Sequence, residues 1–181
     1  MKKLLLSIAL LSLAACASTP DPQEIADKRA EIDAMASASL TRLFEESSGA
    51  KRLYDECYAY AVFSNVKVSI ILTAGGGKGV VVQKASKSRI YMNMGMGGIN
   101  IGLGAHKYQV VFLFESKKTY DDFIEYGWTA DATASAVAGV KGASAETTFT
   151  HGIAIYPMTD VGLMLQADIS GTKYWKSKTL N

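Results

Sequence analysis

The sequence predicts an α+β domain, in which N-terminal helices pack on a strongly curved, mainly antiparallel β-sheet. Three observations lead there. A 3.6-residue apolar period runs from Ile25 to Leu43 and marks an amphipathic helix. From Ala61 onward the pattern changes to short apolar runs divided by Gly or by basic and Ser residues. Nine of the sixteen glycines fall between Gly75 and Gly104, a density that suggests bulges, sharp curvature or close approach by another backbone or a ligand. The 181 residues are 49% hydrophobic and 20% charged, which fits one globular domain and excludes a disordered chain.

In chain order, Asp21 supplies an N-cap, Pro22 the first helical position and Glu24 the third, as in a capping box. Ile25, Ile32, Ala36, Leu40 and Leu43 then form one stripe, opposite Asp27, Glu31, Thr41 and Glu45. Arg29 intrudes on the stripe and reads as a snorkelling side chain. The polar face is acidic on balance, unlike a basic helix that lies on anionic lipid, so the helix is expected to pack on its own domain. Ser48 is expected to cap a second helix through Leu53, Tyr54 and Cys57. Val62-Phe63, Val68 to Leu72, Val80 to Val82 and Ile90 to Met94 read as strands. Ile99 to His106 alternates, and Tyr108 to Phe114, apolar on both faces, should be the most buried strand. Lys117 to Tyr126 reads as a helix with Tyr120, Phe123 and Ile124 on one side. Ala132, Ala134, Ala136 and Ala138 line one face of an alternating segment. Thr147 to Tyr156 and Val161 to Ile169 read as two strands joined around Pro157 to Asp160. No Pro occurs between Gln23 and Tyr156, so no linker divides the chain.

The first residues read as an address. Lys2 and Lys3 precede an apolar run from Leu4 to Ala15, too short for the ~20 residues that span a bilayer but of the proportions of a secretory signal. Leu13-Ala14-Ala15-Cys16 resembles a bacterial lipobox, which predicts a signal peptide over residues 1–15 and acylation of Cys16. Residues 16–21 then form a short tether, and 22–181 a single domain. Ala17 stands where an Asp would resemble an inner-membrane retention signal, so the expected location is the outer membrane, facing the periplasm. Without Lys2 and Lys3, 17 basic residues meet 17 acidic ones, and bulk charge points to no particular partner. No nucleic-acid partner is expected.

The chemical motifs fail on spacing. Ala74-Gly-Gly-Gly-Lys-Gly79 has Leu72 where a P-loop needs Gly, and Gly79 where it needs Ser or Thr. Gly95-Met-Gly97 and Gly102-Leu-Gly104 each lack the third glycine of a dinucleotide fingerprint. His106 and His151 have no metal-ligand spacing, Cys57 stands alone once Cys16 is acylated, and no Gly-x-Ser-x-Gly elbow occurs. The expectation is a non-catalytic protein with no cofactor or metal.

Two features suit a lipid-facing role. Met92, Met94 and Met96 stand on one strand face, where Met can adapt to acyl chains, although ordinary core packing is the favoured reading of such a stripe. Lys84, Lys87 and Arg89 gather in one turn and Lys107 in another. Lys173, Lys176 and Lys178 flank Trp175. That mix suits a headgroup region, and equally a solvated surface. The candidate lipid-binding residues are Lys84, Lys87, Arg89, Lys107, Lys173, Trp175 and Lys176.

Ala61-Val-Phe-Ser-Asn-Val66 followed by Thr73-Ala-Gly-Gly-Gly-Lys-Gly-Val-Val-Val82 resembles the opening of the SYLF lipid-binding domain. Ile99 to Phe114 is similar to its Gly-rich segment leading into an apolar strand. Tyr120 to Gly139 and Gly152 to Gly171 resemble its remaining helix and strands. Ser64 departs from a frequent Pro, and Gly102 from a frequent Gln that would offer a polar ligand contact. The resemblance implies affinity for lipid or membrane, without an assigned site or headgroup; with the acyl anchor that the lipobox predicts, the expected partners are membrane lipid and a bound phospholipid. The other class of reading is a structural envelope protein that binds a protein partner and uses lipid only as an anchor.

Overall fold

The computed structural model describes residues 21–69, 72–99, 104–127, 148–159, 162–163 and 172–181. The signal segment, Cys16, the Ala-rich stretch 132–138 and most of 161–169 lie outside them. Helices α1 (Pro22–Glu46) and α2 (Ser48–Glu56) precede strands β1 (Ala59–Ser69), β2 (Leu72–Gln83), β3 (Arg89–Ile99) and β4 (Gly104–Phe114). Helix α3 (Lys117–Tyr126) follows, then β5 (Ile153–Thr159), β6 (Gly162–Leu163) and β7 (Thr172–Lys176). The strands form one sheet in the order β6-β5-β4-β1-β2-β3-β7, and every described pairing is antiparallel. The fold is α+β, with helices packed against the sheet, as the patterning predicts.

Local chemistry sets the helix ends. Asp21 Oδ1 accepts the Gln23 N–H at 3.0 Å, and Pro22 loses nothing in the first turn. Ser47, rather than Ser48, divides α1 from α2: its N–H donates to Leu43 O, and its hydroxyl accepts from Ala50 N. Ser116 caps α3 in the same way.

Ile32, Ala36, Leu40 and Leu43 of α1, with Ala50 and Leu53 of α2, bury against Val62, Val80, Tyr91, Val111 and Leu113 on one sheet face. The opposite face carries Phe63, Met92, Met94, Phe112, Phe114 and Tyr174 under Phe123 of α3. Tyr108 and the run Val110 to Phe114 are buried, supplying side chains to both cores as expected for the most apolar strand. Helix α1 crosses the strands. Arg29 Nε donates to Leu180 O at 2.9 Å near β7, while Arg42 Nη2 reaches Thr159 O at 2.6 Å on β5.

Three expectations need correction. Val62-Phe63 and Val68 belong to one strand, β1, because the polar pair Ser64-Asn65 continues the ladder and Asn65 is buried. Leu72 belongs to β2. The glycines of β2 form no bulge, since β1 and β2 pair without interruption from Ala59↔Gln83 to Ser69↔Thr73. They make room instead. A Cβ at Gly75 would stand 2.7 Å from Met96 Sδ, and at Gly79 it would overlap the Phe63 ring. Finally, Pro157 lies inside β5, opposite Val110, and the turn falls after Thr159.

Candidate functional site

The predicted site residues do not form one cluster. Lys84, in the turn between β2 and β3, donates from Nζ to the carbonyls of Tyr54 and Asp55 and sits 4.7 Å from the Tyr54 ring centroid. It ties that turn to the end of α2, where a cation complements the exposed carbonyls. Arg89 pairs with Asp33 at 3.2 Å. Lys87, in the left-handed region at φ 57°, is the member of this trio that stands exposed without such a partner among the described residues. Two of the three charges are thus committed within the domain. Met92, Met94 and Met96 are buried in the core, and Met96 Sδ accepts from the Tyr108 hydroxyl at 3.6 Å. They offer no surface to an acyl chain.

Lys107, Lys173 and Trp175 do come together, through register. Lys107 lies in β4 rather than in a turn. One row across the sheet runs Lys107–Val66–Gly76–Gly95–Lys173. The adjacent row runs Gln109–Ser64–Lys78–Asn93–Trp175, and the outermost Ala105–Val68–Ala74–Gly97. All three have the parity of Val62, Val80, Tyr91 and Val111, so they continue the face that α1 covers, beyond the edge of that helix. Here the face is open: Val66 and Val68 are 43% and 44% exposed, and Lys78, Ala74, Gly97, Ala105, Lys107 and Lys173 are exposed. At about 4.8 Å per strand, Lys107 and Lys173 flank an apolar shelf about 19 Å wide. Trp175, 44% exposed, rests over Gly95, where a Cβ would meet its ring at 3.0 Å. Among the described residues, Lys78, Lys107 and Lys173 have no acidic partner.

Beside the shelf a groove of 330 Å³ separates the start of α1 from the end of the chain. Glu24, Ile25 and Lys28 form one wall, Lys78 and Asn93 the floor, and Trp175 to Leu180 the other wall. Lys176 lines this groove. The second wall is pinned. Asn181 Oδ1 accepts the Tyr91 N–H at 3.0 Å and its Nδ2 donates to Tyr91 O at 2.9 Å, prolonging the β3–β7 pairing past Met92, where the Ser177 N–H also donates to Tyr91 O. Arg29 holds Leu180 O and lies 5.5 Å from the Tyr91 ring centroid. Arg29, expected to snorkel to water, instead has its guanidinium held by a backbone carbonyl and an aromatic face of its own domain.

The titratable groups offer little reactivity. Burial pushes the Cys57 thiol up to about 11 and the Tyr54 phenol to about 12, and it raises Tyr174 further. A thiol so perturbed is neutral at physiological pH and a poor nucleophile. Among the described residues no group of His, Cys, Asp and Glu is placed to hold a metal ion, and no helix is long and apolar enough to cross a membrane.

Val66, Val68, Lys78, Lys28 and Asn93 were not singled out from sequence. The alternation of Ser64, Val66 and Val68 was the available signal, but only the pairing register reveals what lies beside them.

No protein-family model matches the chain. It is similar to a protein of Aeromonas veronii described as Beta cell expansion factor A, 40% identical over 160 residues. The match covers 88% of this chain and 61% of that protein, so the chain spans less than two thirds of its relative. That description names no ligand.

Proposed function

We propose that the chain is an outer-membrane-anchored periplasmic lipoprotein whose SYLF-like domain docks on membrane lipid without catalysing a reaction. The observation that carries this reading is the open shelf. Val66 and Val68 lie at its centre, lysines without an acidic partner among the described residues stand at its flanks, and Trp175 sits at its rim. An amphipathic aromatic with lysine heads around apolar surface suits the boundary between headgroups and acyl chains. Each lysine near an anionic surface contributes about 1 kcal/mol, and the attraction weakens as salt shortens the screening length. The buried Met stripe argues against an internal acyl cradle among the described residues and favours contact on the outer face.

Vesicle co-sedimentation of the chain carrying Cys16→Ser tests this. Anionic vesicles should pellet the protein at low salt and less at high salt. Lys107→Ala with Lys173→Ala should remove most of the salt-dependent part, Val66→Asp with Val68→Asp should abolish the binding, and Lys87→Ala should change little. Equal sedimentation of all variants overturns the shelf. Failure to bind any vesicle favours the reading as a structural envelope protein with a protein partner.

A further inference from the structure

The shelf is not uniform along its strands, and side-on contact with a bilayer leaves that gradient unused. Ser69↔Gly104, Ser69↔Thr73 and Leu72↔Ile99 lie at one end of the sheet, where β1 leads into β2 and β3 into β4. We propose that this end enters the outermost acyl layer of an anionic bilayer first, with the lysine rows held among the headgroups. The inference rests on the lipid-docking reading and deepens it, by giving the direction and depth of entry.

Polarity falls row by row toward that end. The row of Ser64 holds Lys78, Asn93, Gln109 and Trp175, and the row of Val66 holds Lys107 and Lys173 with two glycines. The row of Val68 holds only Ala105, Ala74 and Gly97. On the other face Lys67 stands opposite His106 in the ladder, and these are the last ionisable residues before the end. No Asp, Glu, Lys, Arg or His occurs from Val68 to Gly77 or from Ile90 to Ala105. A short connection between strands ordinarily draws on Gly, Asn or Asp, yet between Ser69 and Leu72 the sequence is Ile70-Ile71. Charge is costly in hydrocarbon, whereas Trp and Lys suit the interface, so this order of rows matches the order of layers in a bilayer.

The spacing agrees. Along β2, Gly76 stands level with Lys107 and Lys173, Ala74 lies about 7 Å further on and Leu72 about 14 Å. The headgroup zone is about 5–7 Å deep on each side of the hydrocarbon, so lysines among the phosphates put Ala74 at the first acyl carbons. The sheet edges set the limit. Among the described residues, β3 beyond Met96 and β4 before Gln109 are paired on one side only, and open edges are not tolerated deep in lipid. That cost confines the end to the outer part of one leaflet and prevents it from crossing.

Depth-dependent quenching tests this. Ala74→Cys, in the charge-free row, and Ser64→Cys, in the row of Trp175, are made singly in the full chain carrying Cys16→Ser and labelled with a fluorophore. Cys57 is buried and its thiol is held up at about 11, so it stays unlabelled. Vesicles of phosphatidylglycerol and phosphatidylcholine carry a nitroxide either on the headgroup or near the top of the acyl chain. The Ala74 probe should be quenched more by the acyl nitroxide, and the Ser64 probe more by the headgroup nitroxide. Leu72→Thr with Ile99→Thr keeps residues that suit strands while removing apolar bulk. It should leave the urea midpoint in place and at least halve the acyl quenching at Ala74. The same quenching pattern for both probes, on protein that still pellets with the vesicles, overturns end-first entry and leaves the lipid-docking reading standing. Protein that pellets with no vesicle removes both. A midpoint lowered by the double substitution shows that the chain's own packing covers this end, and it too overturns the inference.

Discussion

Asn65 is fully buried on β1, and neither its carbonyl oxygen nor its amide nitrogen has a hydrogen-bond partner. Its side chain lies over Gly77, where any Cβ would overlap it. An unsatisfied buried amide costs about 1–3 kcal/mol, so Asn65→Leu, which keeps the branching at Cγ without the polar atoms, should leave stability unchanged or raise it. Urea denaturation checks this, and a fall in the midpoint would mean the amide has a role in the fold that its contacts do not reveal. Cys57 and Tyr54 make a second prediction, on pH. Both are neutral when protonated, and burial holds the native thiol at about 11 and the native phenol at about 12, above the ordinary values of 9.0 and 10.0. The unfolded chain therefore gives up these protons first, and the contribution of these two groups to stability should be constant below pH 9.0 and fall from there toward about 11 and beyond. A urea midpoint constant across that window would show that neither group is as enclosed as the packing implies.

At the scale of elements, the end of the chain carries the β3–β7 pairing one residue further. Two hydrogen bonds from the Asn181 side chain reach Tyr91, beyond the last β7 pair at Met92, and a third ties the side chain to Ser177 O. Asn181→Ala should cost about 1–3 kcal/mol, less than the sum of three bonds because water replaces part of what is lost. Denaturation by urea measures it, and an unchanged midpoint would show the contact to be incidental. Nothing in the residue type forecasts this, since Asn181 meets Tyr91 across 90 positions. The helices were more legible. Their caps are local, and α3 runs from Lys117 to Tyr126 as the periodicity predicts. The cap of α2 slipped by one residue because Ser47 and Ser48 carry the same hydroxyl, and backbone geometry alone chooses between them. The strands were half legible. Their apolar ends stood out, while Ser64-Asn65 and Gly75 to Gly77 read as interruptions, although polar and glycine residues hold places in the ladder there. The shelf was hidden for a related reason. Lys107 and Lys173 are 66 positions apart and meet only through Val66, Gly76 and Gly95.

At the scale of the whole molecule, the start of α1 fixes which side of the domain an N-terminal anchor would bring to the membrane. Glu24, Ile25 and Lys28 line the groove with Lys78 and Trp175, so the first turns of α1 adjoin the rim of the shelf. Five residues separate Cys16 from Pro22. Extended, the six steps from Cys16 to Pro22 reach about 21 Å, which keeps the shelf close to the lipid that an acylated Cys16 would enter. On the proposed reading the two contacts would differ greatly in strength. Three lysines at about 1 kcal/mol each, with two half-exposed valines, correspond to a dissociation constant in the millimolar range. Acyl chains contribute about 0.8 kcal/mol for each buried CH₂, and several chains on one residue hold essentially permanently. The anchor should therefore decide where the protein resides, and the shelf how it lies there. Cys16→Ser should move the protein from the membrane pellet to the soluble fraction after a high-salt wash, without change in its denaturation midpoint. Doubling the tether with Gly and Ser residues should leave the acylated protein in the pellet but lower the effective concentration of the shelf at the surface. In a Trp128→Phe background, Trp175 fluorescence would report that loss as a weaker blue shift on vesicles. A Cys16→Ser protein that stays in the pellet after the wash would show that the shelf, and not the acyl group, is the principal hold on the membrane.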